Sequence, residues 1–180
     1  MSTMTRLYSA AALSAVVLLS SCAASVRDPS SSSSLQAGNR KVTKVALTLT
    51  GSGAARNSKD WEHFKSEWKT AMSSSASSAG LGYSYHGSAP GTGAAGTTSV
   101  VVHVKDYRYV STGARYGLGV MTGNAYVDST ATFRDLKTGK SLGTKNYSTS
   151  STAWQGIFSA MTDKQVQAIC DQIVKDVANK

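Results

Sequence analysis

The chain has 180 residues, 41% of them hydrophobic, and a formal net charge of +9. That length suits one domain with its own core once any leader is set aside. The cations are scattered, with no run of five, so the excess charge reads as a solvated surface with mild affinity for anionic envelope components and no nucleic-acid partner.

The first element is a leader. Arg6 precedes an apolar run from Ala10 to Leu19, and Leu19-Ser20-Ser21-Cys22 closes it. Basic, apolar and small residues in that order make a secretory signal peptide. The run is about half the roughly 20 residues that a membrane span needs. An ordinary cleaved signal and a retained helix are the alternatives. Leu19 to Cys22 resembles the lipobox of bacterial lipoproteins. That resemblance implies that the chain is cut after residue 21, that Cys22 is acylated, and that membrane lipid is its partner. By resemblance to enteric-type lipoproteins, Ala23-Ala24 without an Asp implies release to the outer membrane, facing the periplasm. With Cys22 taken by lipid, Cys170 is left alone and no disulfide forms. It lies beside Val166, Ile169, Ile173 and Val174 on an apolar helical face, which predicts a buried, inert thiol.

Residues 22–40 are Ser-rich and nearly free of large apolar side chains. They predict a flexible tether, because they bury too little to offset the entropy of ordering. Residues 41–180 form the domain. Thr43, Val45, Leu47 and Leu49 alternate as in a half-buried strand. After Gly51-Ser52-Gly53, Asn57 or Ser58 is placed to cap a helix in which Trp61, Phe64, Trp68 and Met72 share a face. That helix is expected to fray through Ser73–Ser78 and stop at Gly80. A short strand follows over Leu81–His86, then a Gly/Thr/Ala loop over Pro90–Thr98.

Ser99–Val110 is the strongest strand, apolar on both faces at its start and therefore central in the sheet. Ser111–Asn124 holds Gly113, Gly117, Gly119 and Gly123. Each interior Gly costs about 1 kcal/mol in a helix, so the segment reads as an ordered or conditionally ordered connection against the sheet edge. Ala125–Arg134 alternates, with Val127, Ala131 and Phe133 on one face. Asp135-Leu136-Lys137-Thr138-Gly139-Lys140 supplies turn chemistry, and Leu142–Ser148 returns as the partner strand. Trp154, Ile157, Phe158 and Met161 suggest a short helix. Thr162-Asp163-Lys164-Gln165 fits a capping box opening the last helix, Asp163 to about Ala178. The order predicts an α+β domain: a mixed, mostly antiparallel sheet of four to five strands with two main helices on one face.

No catalytic or metal-ligating residue is nominated, and no cofactor. Gly139-Lys140-Ser141 matches the end of a phosphate loop, but position 134 is Arg and the context is a hairpin. Gly91-Thr92-Gly93-Ala94-Ala95-Gly96 spells a dinucleotide fingerprint, but a strand follows it where a helix is needed. His63, His86 and His103 are far apart, without metal-ligand spacing. The one aromatic-cationic cluster is Tyr107, Arg108, Tyr109, Arg115 and Tyr116. It is the candidate interaction surface, because rings and guanidinium groups anchor interfaces well; its alternative is a strand end at the core edge.

The Phe-bearing strand and the Asp-Leu-Lys-Thr-Gly-Lys hairpin are similar to periplasmic lipoproteins with a TolB amino-terminal-like domain. The segment Tyr109 to Trp154 also resembles small uncharacterised envelope lipoproteins. That likeness implies an accessory or assembly factor and carries no catalytic residue onto this chain. The functional expectation is a non-catalytic, lipid-anchored binding module whose partner is an envelope protein or an anionic polymer. The alternatives are a small envelope hydrolase and a binder of anionic lipid or wall polymer.

Overall fold

A computed structural model describes residues 26–27, 35–36, 40–110, 125–150 and 162–178. Its elements are β1 (Val26–Arg27), β2 (Lys44–Gly51), α1 (Gly53–Arg56), α2 (Trp61–Ser78), β3 (Gly82–His86), β4 (Thr97–Arg108), β5 (Tyr126–Asp135), β6 (Ser141–Ser150) and α3 (Thr162–Ala178). The strands form one mixed sheet in the order β1-β6-β5-β4-β2-β3. β2 runs parallel to both β3 and β4, whereas the β4-β5-β6-β1 side is antiparallel throughout. This is the α+β fold that the element order predicts, and β4 is central as its apolar start requires.

Val45, Leu47 and Leu49 of β2, Val100, Val102 and Val104 of β4, and Val127, Ala131 and Phe133 of β5 share one face and one buried cluster with both long helices. Phe64, Trp68 and Met72 of α2, with Val166, Ile169 and Ile173 of α3, are fully buried against it. Burying a side chain of this size contributes about 1.5–3 kcal/mol. The opposite face carries Thr130, Thr132, Thr144 and Asn146, which stay at least partly in water. The helix face therefore holds the core.

Handedness explains one loop. Parallel crossovers are right-handed, so the return from β3 to β4 crosses the face opposite α2. Arg134, one residue past Phe133 and so on that face, donates to the Gly91 carbonyl. Ala46, Thr48 and Ser99 on the same face are buried. Gly96 ends the crossover at φ 77°, and a Cβ there would meet Thr43 Oγ1 at 2.6 Å.

The structure departs from the sequence reading in four places. α2 opens later, at Trp61, with Asp60 as N-cap and no side-chain cap bond. The preceding residues form the one-turn α1, capped by Ser52 Oγ, which accepts from Ala55 N at 3.1 Å. The Ser/Ala stretch does not fray: Ser75 and Ala76 are buried, and Ser75 Oγ donates to Asp171 of α3 at 2.6 Å. Packing here overrides propensity.

Thr162 and Gln165 do not pair as a capping box. Val110 N donates to Thr162 Oγ1 at 2.8 Å, and Gln165 Nε2 donates to the Ala125 carbonyl at 2.8 Å. They tie the helix to strand ends whose buried backbone groups need partners. Within residues 22–40, expected as a flexible tether, the described residues meet the domain at several points. Val26 and Arg27 pair with Thr149 and Ser148 of β6, Gln36 N donates to the Leu142 carbonyl at 2.9 Å, and Arg40 bridges Asp135 at 3.1 Å. Val26 and Leu35 pack on the core, and β1 covers that part of the β6 edge which it pairs with.

Among the described residues no helix is long and apolar enough to cross a membrane. Residues 1–25 with Cys22, the segment Ser111–Asn124 with Arg115 and Tyr116, and the Trp154–Met161 helix lie outside the described residues.

Candidate functional site

β4 ends where the sequence places its aromatic-cationic cluster, and strand alternation splits that cluster. Tyr107 points to the helix side and is 9% exposed. Its ring stacks on Phe64 with centroids 4.1 Å apart and planes 7° from parallel. It also meets Trp61 at 6.2 Å. Burial pushes its hydroxyl pKa up. Arg108 points the other way and is exposed. Tyr109 is half-buried over α2, where its hydroxyl donates to Glu67 Oε1 at 2.6 Å. Tyr107 is thus a core residue, and Tyr107, Arg108 and Tyr109 present no common surface.

Tyr109 leads instead to a groove that the sequence reading missed. Ser66, Glu67, Thr70 and Ala71 of α2 face Asp163, Lys164 and Gln167 of α3 across a volume of ≈ 280 Å³. Glu67 anchors it. His63 Nε2 lies 3.5 Å from Glu67 Oε1, and the His63 ring meets Tyr109 edge-on at 5.4 Å. Glu67 Oε2 is buried with no hydrogen-bond partner among the described residues. Burial raises the Glu67 pKa, with a smaller push from Asp163; Tyr109 and His63 oppose it. The same burial, with the Glu67 hydrogen bond, pushes the Tyr109 phenol far up. The i,i+4 spacing of His63 and Glu67 is the one sequence signal that could have found this pair.

Deeper along the same seam, Gln167 Nε2 donates to Ser75 Oγ at 2.9 Å and to Asp171 Oδ1 at 2.9 Å. These groups join the two helices. Chemically the groove offers a carboxyl that holds its proton to a higher pH than usual beside a phenol. Such a pair donates and accepts hydrogen bonds.

The other histidines sit on the far face of the sheet, away from this groove. His86 Nε2 lies 3.0 Å from Ser84 Oγ, two residues along edge strand β3, and His103 Nδ1 lies 3.1 Å from Thr50 Oγ1. No group of His, Cys, Asp or Glu among the described residues is arranged to hold a metal ion. Cys170 is fully buried, and burial raises its thiol pKa well above the usual value, Asp171 adding to it. It is the buried thiol that the apolar face predicts.

No family model matches this chain. No curated protein matches it either. Solved structures similar to it include the PelC dodecamer from Paraburkholderia phytofirmans, at 14% identity and a TM-score of 0.43, over 80% of this chain and 96% of that chain. A variant of that dodecamer in a second crystal form matches at 14% and 0.43, over 81% and 95%. Protein XCC0632 from Xanthomonas campestris, of the DUF330 family, matches at 8% and 0.43, over 78% and 88%. A likeness this slight carries no argument about what the chain binds or does.

Proposed function

We propose that this chain is a lipid-anchored, non-catalytic binding module of the bacterial cell envelope, held by Cys22 in the outer membrane and facing the periplasm. The lipobox Leu19-Ser20-Ser21-Cys22 behind its apolar run carries the reading. Two or more acyl chains on one residue give stable anchoring. Ala23-Ala24 supports the outer membrane over the inner.

The fold supports the anchor in one further respect. β1 begins four residues after Cys22. At no more than about 3.6 Å per residue, four residues of extended chain reach about 14 Å, so a lipid on Cys22 would be held close to Val26. The leash is short, and the Ser-rich tract 28–34 lies after the first docking point instead of before it. Binding is favoured over catalysis because Glu67 and Gln167 of the α2–α3 groove already join elements, to Tyr109 and to Ser75.

Metabolic labelling with radioactive palmitate tests the reading. The wild type takes up label, migrates faster than its precursor and fractionates with outer membranes; Cys22→Ala takes up none. An unlabelled wild type of unchanged size ends the proposal.

A further inference from the structure

Five of the described lysines that make no ion pair gather at one end, while Lys59, Lys69 and Lys164 lie elsewhere. Lys41 and Lys44 lie at the start of β2, Lys137 and Lys140 in the β5–β6 turn, and Lys175 in the last turn of α3. Backbone bonds draw these segments together. Leu136 N donates to the Thr97 carbonyl at 3.0 Å, and Thr43 N donates to the Gly96 carbonyl at 2.9 Å. Asp176 and Val177 of α3 line a cavity with Arg40, Thr98 and Phe133, which brings the C-terminal turn of α3 to the same pole. Lys41, Lys137, Lys140 and Lys175 are exposed and Lys44 is half-buried. None of the five makes an ion pair among the described residues.

The described carboxylates at this end are already neutralised from within. Asp135 is bridged by Arg40 at 3.1 Å and accepts from Thr138 N at 2.8 Å. Asp176 is bridged by Lys145 at 2.9 Å and accepts from Tyr147 at 2.6 Å. Asp171, one turn before Lys175, is bonded only by Ser75 and Gln167 and offsets part of that lysine's charge; the other four lysines face no such carboxylate among the described residues. At the opposite end the cations Arg56, Lys59 and Lys164 are interspersed with Asp60, Glu62 and Asp163.

We infer that this pole binds a flexible polyanion, a polysaccharide carrying carboxylate or phosphate groups along its length. Ammonium groups are hydrated point charges. The five contain no arginine fork and no ring, which are the anchors of protein hot spots. What they offer is a screened, long-range attraction for a chain of charges.

Position argues against the protein's own bilayer as the ligand. β1 docks at the far end of β6, at Thr149, and β6 spans 10 residues, or about 30 Å. The pole points away from the membrane that would hold Cys22. This last step rests on the anchor reading; the charge argument does not.

The test uses the full mature lipoprotein in neutral detergent, with fluorescent dextran sulfate as probe and neutral dextran as control. Lys41→Glu/Lys137→Glu/Lys140→Glu is compared with Arg56→Glu/Lys59→Glu/Lys164→Glu, an equal change of net charge at the other end. All six positions are exposed, so both variants keep the wild-type melting temperature within a few degrees. The expected result is dextran sulfate binding that is weakened about tenfold by the pole variant alone and abolished near 0.5 M salt. Equal losses in the two variants, no loss in the pole variant, or equal binding of neutral dextran overturns it. So does pole-dependent capture by phosphatidylglycerol vesicles that is tighter than capture by dextran sulfate at equal charge, which assigns the pole to lipid. Binding is read in micelles, so a chain that fails palmitate labelling but binds the polymer through this pole loses only the anchor reading.

Discussion

Gln165 gives the sharpest test of the architecture, because it is a fully buried polar side chain that joins α3 to two strands. Its Nε2 donates to the Ala125 carbonyl at 2.8 Å, and its Oε1 accepts from Thr149 Oγ1 at 3.0 Å. Thr149 Oγ1 in turn accepts from Val127 N at 3.2 Å. Gln165→Leu keeps most of the volume and removes both bonds. Losing a buried partner costs about 1–3 kcal/mol per group left behind, so the substitution costs about 2–4 kcal/mol. That is a large share of the 5–15 kcal/mol that typically separates folded from unfolded chains. At about 2–4 °C per kcal/mol for a domain of this size, the melting temperature falls by roughly 5–15 °C. Urea unfolding followed by fluorescence of the buried Trp61 and Trp68 measures it directly. Gln167→Leu, on the wetter side of the same helix, is the control and costs under about 1 kcal/mol. A Gln165→Leu variant within about 0.5 kcal/mol of wild type would refute the strand-clamp reading.

Two further expectations concern pH. Glu67 holds its proton more tightly in the fold than in the unfolded chain, because burial raises its pKa from 4.5. Its contribution is therefore present below the unfolded pKa and lost as pH rises through the folded one. Glu67→Gln should raise the melting temperature by a few degrees at pH 8, with the gain disappearing by pH 4; a variant less stable than wild type at pH 8 contradicts this. Asp135 is the opposite case. The Thr138 amide first, and Arg40 after it, hold its pKa below 3.8, so its contribution exists above that value and fades as pH falls through the folded pKa. Asp135→Asn should cost about 1–3 kcal/mol at pH 7 and progressively less toward pH 2, as read by urea midpoints across that range; a pH-independent difference rules out the charge as its cause.

The order of the elements, the central place of β4 and the β5–β6 hairpin are all legible in the chain. Periods of 2 and 3.6 in apolar residues are local facts, and so is turn chemistry such as Asp135 with Gly139. The burial of Cys170 is legible for the same reason, since its neighbours at i−4, i−1 and i+3 are apolar.

The site is another matter. Tyr107, Arg108 and Tyr109 read as one cluster because they are adjacent, yet strand alternation sends them to different surroundings. Nothing near Glu67 announces that Tyr109, 42 positions on, will bond it, and nothing in Thr162 to Gln165 announces that Val110 and Ala125 will take the capping groups. Val26, Arg27 and Gln36 look free until β6 and Leu142 offer partners to pair with. The five lysines of the basic pole come from segments far apart in the chain. Each of these outcomes depends on which backbone groups and carboxylates are left wanting partners once the sheet has formed, and that competition is settled between residues distant in sequence.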